Sequence, residues 1–272
     1  MKPAPLVTGL FAGALLLAAS APADAQIQDS RWLPFVGCWE PVGGAEDAGL
    51  LCVRPSGAGV ELSTIAGGEV VATESLASDG ERRPVVAEGC DGWETVSFSA
   101  DGRRAFTESE LVCGDDERSG TGVMSFVGPN RWVDVRALEV QGERIAWVQE
   151  YMLVGIDRLA ELEVEDPEEG LELATRPARR VAATEIDLED VEEAADRMDE
   201  EAVVAWVAAQ QDRFDVDADD LVRLADSGVP EEIIDVVVAV SYPERFVVEP
   251  EEAIEQVDSR VQGRRIPVGF GY

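Results

Sequence analysis

Four aspartates, Asp215, Asp217, Asp219 and Asp226, stand at the first, third, fifth and twelfth positions of an EF-hand-like loop, a spacing at which carboxylates surround calcium. The sixth position, where such loops turn on glycine, is Asp220, the twelfth is Asp in place of Glu, and Arg223 falls beside the ion at the ninth. The preferred reading is that Asp217 or Asp219 caps a helix, and no metal is assigned. Carboxylates can also act as a general acid and base when two of them have separated pKa values in a cleft about 5 to 9.5 Å apart. With 56 Asp and Glu among 272 residues, such pairs arise everywhere by chance. Glu94, Glu108, Glu110 and Glu150 become candidates only if one faces an interior, and strand alternation is taken to point them to water. The chain has no histidine, so imidazole-based nucleophilic catalysis and His-ligated zinc, haem and copper sites are excluded. No catalytic residue and no cofactor is assigned.

Against the 56 acids stand 22 Lys and Arg, for a formal net charge of -34. Such a chain repels phosphate backbones and anionic headgroups, so nucleic acid and membrane surfaces are not expected partners. Met1 and Lys2 precede an apolar run from Leu6 to Ala18, then Pro22 and the small-residue pattern Ala23-Asp24-Ala25. This reads as a signal peptide over 1–25, too short for a span of about 20 apolar residues. A periplasmic or secreted protein, with no stable membrane insertion after cleavage, is the expectation.

Cys38, Cys52, Cys90 and Cys113 form an even set in an exported chain, which argues for two disulfides among three possible connectivities. Trp93 to Ser99 alternates, Ala100-Asp101-Gly102-Arg103 is a turn, and Arg104 to Val112 resumes alternation. Folding this hairpin about Asp101-Gly102 sets Cys90 opposite Cys113 and leaves Cys38 for Cys52. Further strands are expected over 50–54, 59–65, 69–75, 84–88, 121–127, 132–139 and 144–154, with turns at Ser56-Gly57, Gly67-Gly68, Gly128-Pro129-Asn130 and Gln141-Gly142. The fold class is α+β: an antiparallel up-and-down β-barrel of eight or nine strands over 26–155, followed by a small acidic helical module. A barrel of about eight strands either packs full or encloses one small ligand.

Phe35-Val36-Gly37-Cys38-Trp39-Glu40, followed by a strand meander, resembles the Gly-x-Trp signature opening the first strand of lipocalins and their calycin relatives. The resemblance implies that Trp39 closes the barrel floor against an arginine from a late strand, for which Arg136 and Arg144 are available. Haem-binding barrels of similar appearance use a His ligand, which this chain lacks. Trp39, Trp93, Phe98, Phe126, Trp132, Trp147 and Tyr151 are the candidate ligand-binding residues if the barrel is open. The competing reading, given more weight, is that they are simply core.

Residues 156–272 hold 33 acids and 11 Arg, against 22 and 10 over 26–155, a shift that marks two modules. The run Glu161, Glu163, Glu165, Asp166, Glu168, Glu169 reads as an acidic, solvated linker over 156–185. A helical module over 186–248 begins with Asp187 as N-cap and Val191, Ala194, Ala195 and Met198 on one face, then Val203, Trp206 and Val207 from Asp199. Two more helices are expected, from Asp219 to Ser227 and Glu231 to Val240. The joint Leu221-x-x-Leu224-Ala225-x-x-Gly228-Val229-Pro230 resembles that of ubiquitin-associated-like bundles in construction only. The tail, 249–272, lacks a pattern and is expected to be mobile.

Three functional readings follow. The first is a non-enzymatic exported protein whose barrel binds a small apolar ligand or an envelope component. The second is a structural protein with a filled barrel whose acidic helices dock a partner, and a carboxylate-dependent hydrolase ranks last.

Overall fold

The computed structural model describes residues 28–44, 49–87, 90–114, 116–140, 142–210 and 213–246. The expected signal peptide and tail lie outside them. A short 3-10 helix, Ser30–Phe35, with Asp29 as its N-cap, leads into ten strands. These are β1 (Gly37–Pro41), β2 (Leu50–Ser56), β3 (Gly59–Ala66), β4 (Glu69–Leu76), β5 (Arg83–Ala87), β6 (Cys90–Phe98), β7 (Ala105–Cys113), β8 (Asp116–Gly128), β9 (Arg131–Val140) and β10 (Glu143–Leu153). Six helices follow among the described residues: α1 (Ile156–Glu161), α2 (Glu172–Ala182), α3 (Leu188–Arg197), α4 (Glu200–Ala209), α5 (Ala218–Asp226) and α6 (Glu231–Ser241).

Every pairing in the sheet is antiparallel, in the order β4-β3-β2-β1-β10-β9-β8-β7-β6-β5. The first strand joins the last, so the meander curls into a half-barrel whose edges are β4 and β5. Its strand number is one above the expected range because the short β1 counts as a strand of its own. An isolated bridge between Asp79 and Ser97, with Gly80 N–H donating to the Val96 carbonyl at 3.0 Å, ties the chain after β4 onto β6. Gly67 and Gly68 both take positive φ, 61° and 80°, in the two-residue β3–β4 turn, a conformation whose twist suits a hairpin and which side chains oppose.

Both expected disulfides form between directly opposed residues, Cys38 with Cys52 (Cα–Cα 4.0 Å) and Cys90 with Cys113 (4.1 Å). The hairpin count about Asp101-Gly102 holds along the ladder from Phe98–Ala105 to Asp91–Val112.

Strand alternation divides the side chains between two faces. The concave face holds an aromatic and aliphatic core that includes Trp32, Phe35, Trp39, Phe126 and Trp132. On the convex face Phe106, Val123, Val133, Val135 and Ala137 pack against α3 to α6, whose inward residues include Val191, Val203, Trp206, Leu224 and Ile233. The helical module therefore shares a core with the sheet. Polar anchors fix its position. Asp199 N–H and carboxylate both bond Thr121 Oγ1, at 2.8 and 3.0 Å, and the buried Arg104 reaches Asp190 and Asp101.

The expected solvated linker at 156–185 is instead structured. α1 buries Leu159 with the Cys38–Cys52 bridge, and α2 packs beside the 3-10 helix with Arg179 buried. The acids there have partners: Glu168 accepts from Thr175 Oγ1 at 2.5 Å and pairs with Arg179 at 3.1 Å. Among the described residues, no helix is long and apolar enough to cross a membrane.

Candidate functional site

The concave face is best followed as rungs across β6 to β10. Nearest the aromatic end, Phe126, Trp132 and Tyr151 lie in line. The next rung is Phe98, Ala105, Met124, Asp134 and Gln149, followed by Val96, Thr107, Gly122, Arg136 and Trp147, then Glu94, Ser109, Gly120, Leu138 and Ile145. The interior thus changes from aromatic to charged within two rungs.

Five of the seven aromatic candidates lie in the packed end. Trp39, Phe98, Phe126, Trp132 and Tyr151 are all buried. Trp39 meets Phe126 and Trp132 edge-on at 5.9 and 6.0 Å between centroids, and Trp132 stacks on Tyr151 at 4.5 Å. Phe35 and Trp32 of the 3-10 helix fill the space between them, Phe35 against Phe126 at 5.0 Å and Trp32 against Phe98 at 5.0 Å. Trp147 is only half-buried, on the charged rung beside Arg136. Trp93 lies on the opposite face, where its indole donates to Glu110 at 2.9 Å and Arg82 sits 3.7 Å over its ring.

The Gly-x-Trp resemblance implied Arg136 or Arg144 against Trp39, but the arginine over that ring is a different one. Neither Arg136 nor Arg144 packs there: Arg136 lies on the charged rung, and Arg144 is exposed on the convex face, 3.0 Å from Asp199. Arg179 of α2 lies 5.1 Å over the Trp39 ring and donates Nε to the Pro34 carbonyl at 3.0 Å and Nη2 to the Val36 carbonyl. Trp39 Nε1 completes the arrangement by donating to the Phe35 carbonyl at 2.7 Å. A helical arginine was hidden because residues 156–185 read as a solvated run.

Glu94 also corrects the expectation that the candidate acids face water: it is 8% exposed and in phase with Val96 and Phe98 on the concave face. Glu108 and Glu110 are exposed, and Glu150 lies on the convex side with Arg131 at 2.5 Å. Around Glu94 the fold gathers Asp134 and Arg136 from β9 and Glu74 from β4. Arg136 Nε donates to Asp134 at 2.8 Å, and Arg136 Nη1 approaches Glu94 at 3.7 Å. Gly122 makes this reach possible, since a Cβ there would stand 2.6 Å from Arg136 Cδ and 3.1 Å from Thr107 Oγ1.

Glu74 Oε2 is buried and has no hydrogen-bond partner among the described residues. Burial, and after it the charge of Glu94, push the Glu74 carboxyl up to about 8, with Arg136 opposing and Asp134 adding to the rise. Burial likewise raises Glu94, against the pull of Arg136. Burial alone would lower Arg136, but Asp134 and Glu94 more than offset it and hold it cationic. Glu74 and Asp134 escaped the sequence reading, although both share phase with buried apolar neighbours, Leu76 and Trp132. At the EF-hand-like spacing, Asp217 is the helix cap: its Oδ1 accepts from Asp219 and Asp220 N–H at 2.8 and 3.1 Å, and Asp220 returns a bond to Asp217 N–H.

No protein-family model and no curated protein matches the sequence. Among solved structures the chain is similar to secretory abundant heat soluble protein 4 from Ramazzottius varieornatus, at 15% identity over 45% of this chain and 96% of that one, with a TM-score of 0.32. It is also similar to a luciferase domain from the dinoflagellate Lingulodinium polyedrum, at 14% identity over 44% of this chain and 42% of that one, with a TM-score of 0.31. The barrel-type architecture of this chain stands on its own strand pairing.

Proposed function

We propose that this chain is an exported, non-enzymatic binding protein of lipocalin-like construction, which holds a small ligand at the charged rungs of its concave face. The observation that carries the reading is Glu74 Oε2, buried among Glu94, Asp134 and Arg136 and without a hydrogen-bond partner among the described residues. Leaving a polar atom buried and unmet costs about 1–3 kcal/mol, more for a charged group, and a ligand that meets it recovers that cost. The aromatic end is already occupied by its own side chains, so an apolar ligand has less to offer than the first expectation held. Ligand contacts fall to Glu74, Glu94 and Trp147. The two disulfides support an oxidising compartment, periplasmic or extracellular. The Trp39–Arg179 floor supports the lipocalin-like construction.

A second reading has an observation of its own. The mutual packing of Trp39, Phe126, Trp132 and Tyr151 favours a filled half-barrel acting as a scaffold, with acidic helices facing an envelope partner. A native mass spectrum of the protein recovered from its own host, before dialysis, separates the two. A mass above that of the chain with two disulfides, lost on unfolding and absent from Glu74→Gln, supports the binding protein. The bare oxidised mass throughout supports the scaffold.

A further inference from the structure

Glu74 from β4, Glu94 from β6, and Asp134 and Arg136 from β9 share the concave face, so the Arg136 guanidinium stands among three carboxyl groups. Arg136 directs its bonds to Asp134 at 2.8 Å and Glu94 at 3.7 Å, while Glu74 Oε2 stays buried and unpartnered among the described residues. The carboxyl groups outnumber the Arg136 guanidinium, and one particular oxygen, Glu74 Oε2, lacks a hydrogen-bond donor among the described residues. A cationic N–H donor supplies that bond and offsets the charge of an ionised Glu74.

We propose that this site binds a small organic cation bearing N–H donors, an alkylammonium, with its nitrogen on Glu74 and its apolar body against Trp147. The inference rests on the binding reading above and adds the chemistry of the ligand. An anionic ligand would meet three carboxyl groups in a medium that screens them poorly. A divalent metal fits less well, because among the described residues no three acidic or cysteine side chains converge as ligands, and Arg136 would stand beside the ion. An ammonium is a compact donor of up to three hydrogen bonds, and an aromatic wall adds cation–π attraction.

Binding of this kind is coupled to a proton. The charged groups facing Glu74 are Glu94 on β6 and Asp134 and Arg136 on β9. Arg118 lies on the same face of β8, one rung beyond Glu94, while β3 and β10 present Leu62 and Trp147, which do not titrate. With its carboxyl at about 8, Glu74 carries a proton at neutral pH, and the arriving cation releases that proton to solvent. The ionised fraction of such a group rises roughly tenfold from pH 6 to pH 7, so the apparent Kd should fall by roughly the same factor.

Isothermal titration of the mature, disulfide-bonded protein tests this with three isosteric probes: 3-methylbutylammonium, 3-methylbutan-1-ol and 4-methylpentanoate. The expected result is binding of the ammonium alone, roughly tenfold tighter at pH 7 than at pH 6. Heats in buffers of different ionisation enthalpy should report close to one proton released. Glu74→Gln, with near-UV circular dichroism intact, should lose the binding; Trp147→Ala should weaken it without changing the proton count. Equal binding of the alcohol, pH-independent binding, or undiminished binding by Glu74→Gln overturns the inference. Failure of the ammonium to bind while the native mass spectrum shows a retained neutral or anionic ligand overturns the cation and leaves the binding site standing. Bare protein in both experiments overturns both.

Discussion

Glu74 and Arg136 are the two residues whose removal has opposite consequences. Because the native state holds a proton on Glu74 up to about pH 8 while the unfolded chain releases it near 4.5, the native state binds more protons between those values. Its contribution to stability is full below about pH 4.5 and is lost as pH rises through about 8. Glu74→Gln keeps the neutral amide throughout, so denaturant midpoints should fall less steeply from pH 5 to pH 8.5 than in the parent, with the variant more stable at the alkaline end. An unchanged slope would mean that Glu74 is ionised and solvated. Arg136→Met removes the only cation paired with Asp134 and Glu94 among the described residues and leaves buried carboxylates uncompensated, which should cost about 3–5 kcal/mol in equilibrium unfolding at pH 7. At pH 5, where Glu74 and Glu94 are more protonated, the loss should be smaller. The inward phase of Glu94 was readable in the sequence from Val96 and Phe98. Trp93, a lining candidate beside Phe98, is on the opposite phase of the strand. Trp93 satisfies its indole outside, on Glu110 and under Arg82.

Among the elements, local patterns with a direct physical cause were legible. Asp187 forms a capping box with Asp190 at the start of α3, and of the residues expected on the inner faces of the first two module helices Val191, Ala194, Met198, Val203, Trp206 and Val207 are buried, with Ala195 partly so. Cysteine pairing followed from equal distances to one turn, because an antiparallel ladder preserves such a count. The docking of α2 was not legible. Its key residue is a charged one whose partners, the Pro34 and Val36 carbonyls, lie more than a hundred residues earlier, and no local pattern encodes that. Arg179→Met leaves both carbonyls buried without their donor and removes the cation over Trp39, so unfolding free energy should drop by about 2–4 kcal/mol, with altered tryptophan emission. Arg179→Lys should recover little, since one ammonium cannot reproduce the planar fork. Full recovery by lysine would show that charge alone closes the floor.

On the scale of the whole molecule, two opposed groups of carboxyls set the pH of greatest stability. Asp29 is held down to about 2 mainly by its hydrogen bond from Arg31, against burial; Asp101, which burial would raise, is brought to about 2 by Ser99 and Arg103. Their contribution is present above about pH 4 and lost as pH falls toward 2, whereas that of Glu74 is lost as pH rises toward 8. The formal charge of -34 adds self-repulsion above the pI near 4.1. Thermal midpoints should therefore peak near about pH 4–5. Salt should stabilise the protein more at pH 8 than at pH 5 by screening that repulsion. A peak above pH 7 would show that depressed carboxyls outside this account dominate.

The protonation of Glu74 can be read directly from its side-chain carboxyl resonance in a 13C NMR titration of the selectively labelled protein. A midpoint near 8, lowered in Glu94→Gln and lowered further by saturating alkylammonium, is the predicted result. A midpoint near 4.5, indifferent to both, would contradict the buried acid cluster and the binding function built on it.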